Sequence, residues 1–137
     1  MRRSILALAG IVILTAAPVS AQPGQQFDLI CDVDVVAWKG TPTNVIETRK
    51  DVFRWSIDLD KRTWFNARVA DPEIVPFHSI TDRDLVLMSS ESSQIRISRV
   101  TGHVCESHDW HLNGRAGFTA QGTCRPGEFT PVPRPIF

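Results

Sequence analysis

Residues 52–59 read Val52-Phe53-Arg54-Trp55-Ser56-Ile57-Asp58-Leu59, and Asp60-Lys61-Arg62 then leads into Thr63-Trp64-Phe65. Phe53, Trp55, Ile57 and Leu59 fall on every second position, with Arg54, Ser56 and Asp58 between them. Side chains on a strand alternate faces, so this spacing predicts one apolar face and one wet face. The polar break at Asp60 to Arg62 reads as a tight turn into a short return strand carrying Trp64. The stretch predicts an antiparallel hairpin and carries no reaction chemistry.

The same period recurs on both sides of it. Phe27, Leu29, Cys31, Val33 and Val35 alternate with polar or smaller residues, which predicts a half-buried first strand over 27–36. Trp38 to Asn44 contains Gly40 and Pro42 and reads as a loop, with Trp38 as the tryptophan expected to be exposed and available for binding. Asn44 to Lys50 reads as a polar extension or a short strand. Asn66 to Pro76, with Asp71-Pro72, is a connector and at most an edge element. Phe77 to Ile80, Asp84 to Ser89 and Gln94 to Arg99 read as further strands, and Thr101-Gly102 as a turn. Residues 57–64 also echo residues 97–104, strand-turn-strand in both, which suggests two similar hairpins. No stretch after the first 21 residues has a helical period with caps. The expected fold is all-β, a small antiparallel meander forming a twisted sheet or a small barrel.

The first residues have a different character. Arg2 and Arg3 precede an apolar run from Ile5 to Ala17, followed by Pro18 and Val19-Ser20-Ala21. A basic start, a short apolar segment and small residues three apart are the parts of a secretory signal peptide, with cleavage expected after Ala21. The run is too short to span a bilayer as a helix. Residues 1–21 are therefore expected to be the leader, 22–26 a loose polar lead, 27–124 one all-β domain, and 125–137 a proline-rich extended tail lying against it. A periplasmic or secreted location follows from that leader.

The chain has 15 basic and 15 acidic residues, and losing Arg2 and Arg3 leaves a slight acidic excess. A nucleic-acid binder carries a clustered basic surplus, so nucleic acid is not an expected partner. Nor is membrane insertion expected once the leader is removed, since no polybasic or amphipathic helix is present.

In an oxidising compartment Cys31, Cys105 and Cys124 are disulfide candidates, and three leaves one over. Asn113-Gly114 sits in the last hairpin. A three-residue loop over 113–115 would set Trp110 across from Phe118 and Val104 across from Cys124, gathering the apolar side chains on one face. In that register Cys105 and Cys124 point to opposite faces and cannot join. Cys31 is then the expected partner of Cys124, tying the first strand to the last and suiting barrel closure.

The set Phe27-x-Leu29-x-Cys31, Ile57-Asp58-Leu59 with Trp64, Ile97-x-Arg99-x-Thr101-Gly102 and Gly122-x-Cys124 resembles a group of small secreted bacterial proteins of unknown function. Members of that group also carry a cysteine pair just after the tryptophan. Here the positions read Phe65-Asn66-Ala67-Arg68-Val69, so a second disulfide is absent. The resemblance supports the Cys31–Cys124 pairing and implies no activity.

Donor side chains crowd into one segment: His103, Cys105, His108, Asp109 and His111. Nitrogen, sulfur and carboxylate ligands of this kind bind zinc or copper. Alternation puts His103, Cys105, Asp109 and His111 on one face and His108 on the other. Thr119, Gln121 and Thr123 lie across from them and are poor ligands, and no spacing matches a structural zinc motif. A Cys105–His108 nucleophile pair and the carboxylate pairs Asp58/Asp60 and Asp82/Asp84 are weaker candidates still. No nucleophile elbow, phosphate loop or metalloprotease motif occurs. The sequence thus points to a non-catalytic exported domain, without cofactor, that binds an envelope protein, peptide or glycan. The alternative is a metal-binding or redox protein using the His103–His111 stripe. A barrel with an apolar ligand inside is a strained third reading, because few strands leave little interior room.

Overall fold

The computed structural model describes residues 25–111 and 114–132, and every regular element among them is a strand. The expected leader, residues 1–21, lies outside them. The strands are β1 (Gln26–Lys39), β2 (Val45–Asp58), β3 (Thr63–Asn66), β4 (Val75–Pro76), β5 (Ser79–Ile80), β6 (Asp84–Ser89), β7 (Ser93–Ser98), β8 (His103–Trp110) and β9 (Ala116–Gly127). They form one antiparallel sheet in the order β4-β3-β2-β1-β9-β8-β7-β6-β5, curled into a half-barrel.

The alternation that defines the sequence defines the concave face. Leu29, Cys31, Val33 and Val35 of β1, Phe53, Trp55 and Ile57 of β2, and Trp64 of β3 pack with Leu85, Leu87, Ile95, Ile97, Val104, Ala120 and Cys124 from the other half. Ile57, Leu87, Val35 and Val104 are fully buried, so the strands' own side chains fill the interior. The ends of the sheet meet across this core. Trp64 Nε1–H donates to the Leu87 carbonyl over 3.0 Å. Phe77 N–H bonds Arg62 O beside β3, and His78 N–H bonds Val86 O on β6. Residues 75–80 therefore belong to one edge at their start and to the other at their end, bridging the curled sheet.

Cys31 and Cys124 form the disulfide. They are directly opposed on neighbouring strands β1 and β9, at the middle of the sheet order. The bond thus reinforces the centre of the sheet, and the bridging of the edges that it was expected to aid falls to residues 75–80. By the chain-entropy account, closing a loop of this length contributes about 4–5 kcal/mol.

Several expectations are corrected in detail. Of the two readings of Asn44 to Lys50, a polar extension or a short strand, the strand is found, and it runs without a break into the hairpin strand as Val45–Asp58. In the last hairpin Trp110 is opposed to Ala116 and Val104 to Gly122, a register two residues from the expected one. A shift of two preserves the faces, so Cys105 and Cys124 still point to opposite sides. The face carrying Arg54, Ser56 and Asp58 is not wet either, since Ser56 and Asp58 are buried.

The cover over that convex face comes from the tail. Phe129 packs edge-on against Phe65, and Thr130 reaches Asp28 through both its N–H (3.0 Å) and its hydroxyl (2.6 Å). Asp28 is fully buried and also accepts hydrogen bonds from Ser56 Oγ (2.6 Å) and Arg54 Nε. The expected docking of the tail is met at Phe129, while Ile136 and Phe137 lie outside the described residues.

Candidate binding cleft

At the start of β1 the concave face opens into a cleft of about 240 Å³. Phe27 and Leu29 from β1, Leu59 from the end of the hairpin strand, Leu85 from β6 and Ile97 from β7 form its apolar lining. Alternation puts Phe27, Leu29, Leu85 and Ile97 there, each at an inward position of its strand, and Leu59 joins them from the turn directly after β2. Phe27 and Leu59 are half-buried and stay in contact with solvent. Asp82, Ser98 and Arg99 supply polar groups at the rim, and the ring of Pro126 and the Cys124 half of the disulfide complete the wall. Small-molecule sites generally run upward from about 300 Å³, so this volume suits one large apolar side chain rather than a whole cofactor. The cleft was not anticipated, because its residues come from four strands and the turns between strands, and no local pattern marks them.

The loop tryptophan was expected to be exposed, but Trp38 is only 5% exposed. β1 continues to Lys39, which sets Trp38 directly opposite Gly117 of β9. A Cβ at Gly117 would lie 2.4 Å from Trp38 Cζ2. The missing side chain is the slot the indole fills, and the Arg115 guanidinium sits 5.4 Å above the ring. Trp110, 47% exposed, is the accessible tryptophan among the described residues. Trp55 and Trp64 are core residues as expected.

The histidine stripe does not converge. His103, Cys105 and Asp109 alternate along the convex side of β8 as expected, but among the described residues no three His, Cys, Asp or Glu side chains come together to hold a metal. Asp109 is engaged by Arg115, whose Nη2 lies 2.7 Å away. That guanidinium holds the Asp109 carboxyl below the usual carboxylate range. His111 Nε2 stands 3.7 Å from Asp109. Cys105 is a free thiol.

His108 faces the other way, as alternation requires, and joins a cluster no sequence pattern disclosed. Its Nδ1 lies 2.9 Å from Ser93 Oγ, its cross-strand neighbour. Its Nε2 lies 2.7 Å from Glu106 Oε1. The rings of Trp110 and Phe118 pack at 5.8 and 4.8 Å from the imidazole. Glu106 is 7% exposed, and its Oε2 has no hydrogen-bond partner among the described residues. The imidazole thus supplies the contact that lets a carboxylate sit on an apolar face.

One member of each carboxylate pair considered as an acid–base candidate has a structural task. Asp58 accepts Lys61 N–H (2.9 Å) and Gln26 Nε2–H (2.7 Å), closing the turn after β2. Asp84 pairs with Arg96 at 2.7 Å. Comparison with protein-family models, curated proteins and solved structures returned no match.

Proposed function

We propose that this protein is a non-catalytic, exported binding domain that takes an apolar side chain of an envelope protein or peptide into the Phe27–Leu59 cleft. The observation that carries the reading is the cleft itself, with a predominantly apolar lining and polar groups beside it. Burying a Leu or Phe side chain from a partner contributes about 1.5–3 kcal/mol, enough for an anchor. Asp82 and Ser98 line the same cleft and would meet the partner's backbone polar atoms, which lose water on docking. A glycan fits less well, because an apolar wall leaves sugar hydroxyls without partners. Export is supported by the leader-like first 21 residues and by the Cys31–Cys124 disulfide, which suits an oxidising compartment.

The test is site-specific photocrosslinking in intact cells. A benzophenone side chain at Leu59 should yield a discrete adduct with an envelope protein or peptide, and the same group at exposed Val69, which does not line the cleft, should not. Identical adduct patterns from both positions, or none from Leu59, would reject the reading.

A further inference from the structure

The cleft lies at one end of β1, and a second feature lies at the other. β3 pairs only with Trp55–Asp58 of β2. Arg54 and Val52 give their carbonyls to Ala67 N–H and the Arg68 side chain. Upstream, Val45–Asp51 pairs with β1 on one side, and among the described residues no strand pairs with its other side. Seven residues of open edge run for at most roughly 23 Å, with a β-bulge at Ile46 that leaves Glu47–Asp51 as the regular part. Val45, at 48%, and Ile46, at 62%, are exposed there. An open edge offers backbone donors and acceptors to another strand, and its side chains decide which strand is accepted.

Within the regular part of this edge, Glu47 to Arg49 is self-complementary in one register. We infer that Val45–Asp51 pairs antiparallel with the same segment of a second copy, centred on Thr48. A two-fold axis perpendicular to the sheet keeps both concave faces on one side, so opposed residues must come from the same face of β2. Centring on Thr48 sets Glu47 of each copy against Arg49 of the other, twice by symmetry, with Thr48 against Thr48. Opposite charges and paired threonines directly across a ladder are both favourable. Centring on Arg49 instead opposes two arginines and sets Glu47 against Asp51. Centring on Glu47 opposes two glutamates; centring on Lys50 sets Arg49 against Asp51 but opposes two lysines and draws in Val52, whose carbonyl the Arg68 side chain already occupies. Within each copy Glu47, Arg49 and Asp51 already form a charge row, with Arg49 3.0 Å from Glu47 and 3.6 Å from Asp51. Pairing two such rows interleaves them. The dimer joins two half-barrels edge to edge and leaves both Phe27–Leu59 clefts open.

Sedimentation equilibrium on the purified chain over a wide concentration range tests this, with Glu47→Arg, Arg49→Glu and the double swap Glu47→Arg/Arg49→Glu. The parent should show a monomer–dimer equilibrium. Each single variant should raise the dissociation constant at least about tenfold, since two attractive pairs become two repulsive ones. The double swap should return it to near the parent value. All three changes are at exposed positions, and circular dichroism with a thermal melt confirms that each variant is folded. A parent that stays monomeric throughout, single variants that dimerise like the parent, or a swap that fails to restore dimerisation would each overturn the inference.

Discussion

Arg62 and Gly102 occupy the same position in two matching hairpins, and both have left-handed backbone angles (φ 55° and 72°). Ile57 opposes Trp64 around the first turn and Ile97 opposes Val104 around the second, so the echo between residues 57–64 and 97–104 is a shared register. A residue with a Cβ is disfavoured in this conformation and glycine is not. Arg62→Gly should therefore raise stability by about 0.5–1 kcal/mol in urea denaturation. Gly102→Ala should lower it by more, because the added Cβ would stand 2.6 Å from the Cys124 carbonyl oxygen as well as sitting at positive φ.

Besides the Phe129–Phe65 contact, the tail is held to the sheet by Thr130 at one buried carboxylate, Asp28. Burial pushes the Asp28 pKa upward, but hydrogen bonds from Ser56, Thr130 and Arg54 outweigh it and hold the group below its ordinary value. A carboxyl lowered in the folded state contributes stability that is complete above the unfolded pKa, near 4, and is lost as pH falls through the folded value. Melting temperature should fall as acid is added below about pH 4. Asp28→Asn should be less stable at neutral pH and show a shallower acid dependence. Thr130→Val, which removes a hydroxyl donor to a charged group, should cost about 1.5–3 kcal/mol at pH 7. An acid profile unaltered by Asp28→Asn would show that the carboxylate does not hold the tail.

The imidazole of His108 stands between a buried carboxylate and isolation. His108→Ala leaves Glu106 without its only hydrogen-bonded partner among the described residues and should cost about 1–3 kcal/mol, the penalty for a buried polar group left unsatisfied. Glu106→Leu alone removes the charge that requires the imidazole and should cost markedly less. The double change His108→Ala/Glu106→Leu should recover most of the loss caused by His108→Ala, giving a strong coupling in a double-mutant cycle followed by chemical denaturation. Additive losses would show that the pair does not act as a unit.

How much of this was legible in the sequence depends on whether the cause was local. Alternation from Phe27 to Val35 and from Phe53 to Leu59 identified the core-facing residues, because a period of two needs no knowledge of the partner strand. It also gave the faces of Cys31, Cys105 and Cys124, which survive a register displaced by two. Trp38 was misread because Gly40 and Pro42 mark a loop, whereas its burial is decided by Gly117, 79 positions away. Asp28 and Ser56 look like solvent-facing positions, and they are buried because the tail crosses them. The cleft had no local signature at all, since Phe27, Leu59, Leu85 and Ile97 meet only once the sheet has curled.

The central claim is that the Phe27–Leu59 cleft holds a partner's apolar side chain, and titration with peptides selected from a random displayed library tests it most directly. Selected peptides should share one large apolar residue and bind the parent protein saturably. Leu59→Glu, at a half-buried rim position, should weaken them at least about tenfold with the fold retained, since an anchor contributes about 1.5–3 kcal/mol. Peptides of no common apolar residue, or affinities untouched by Leu59→Glu, would contradict it.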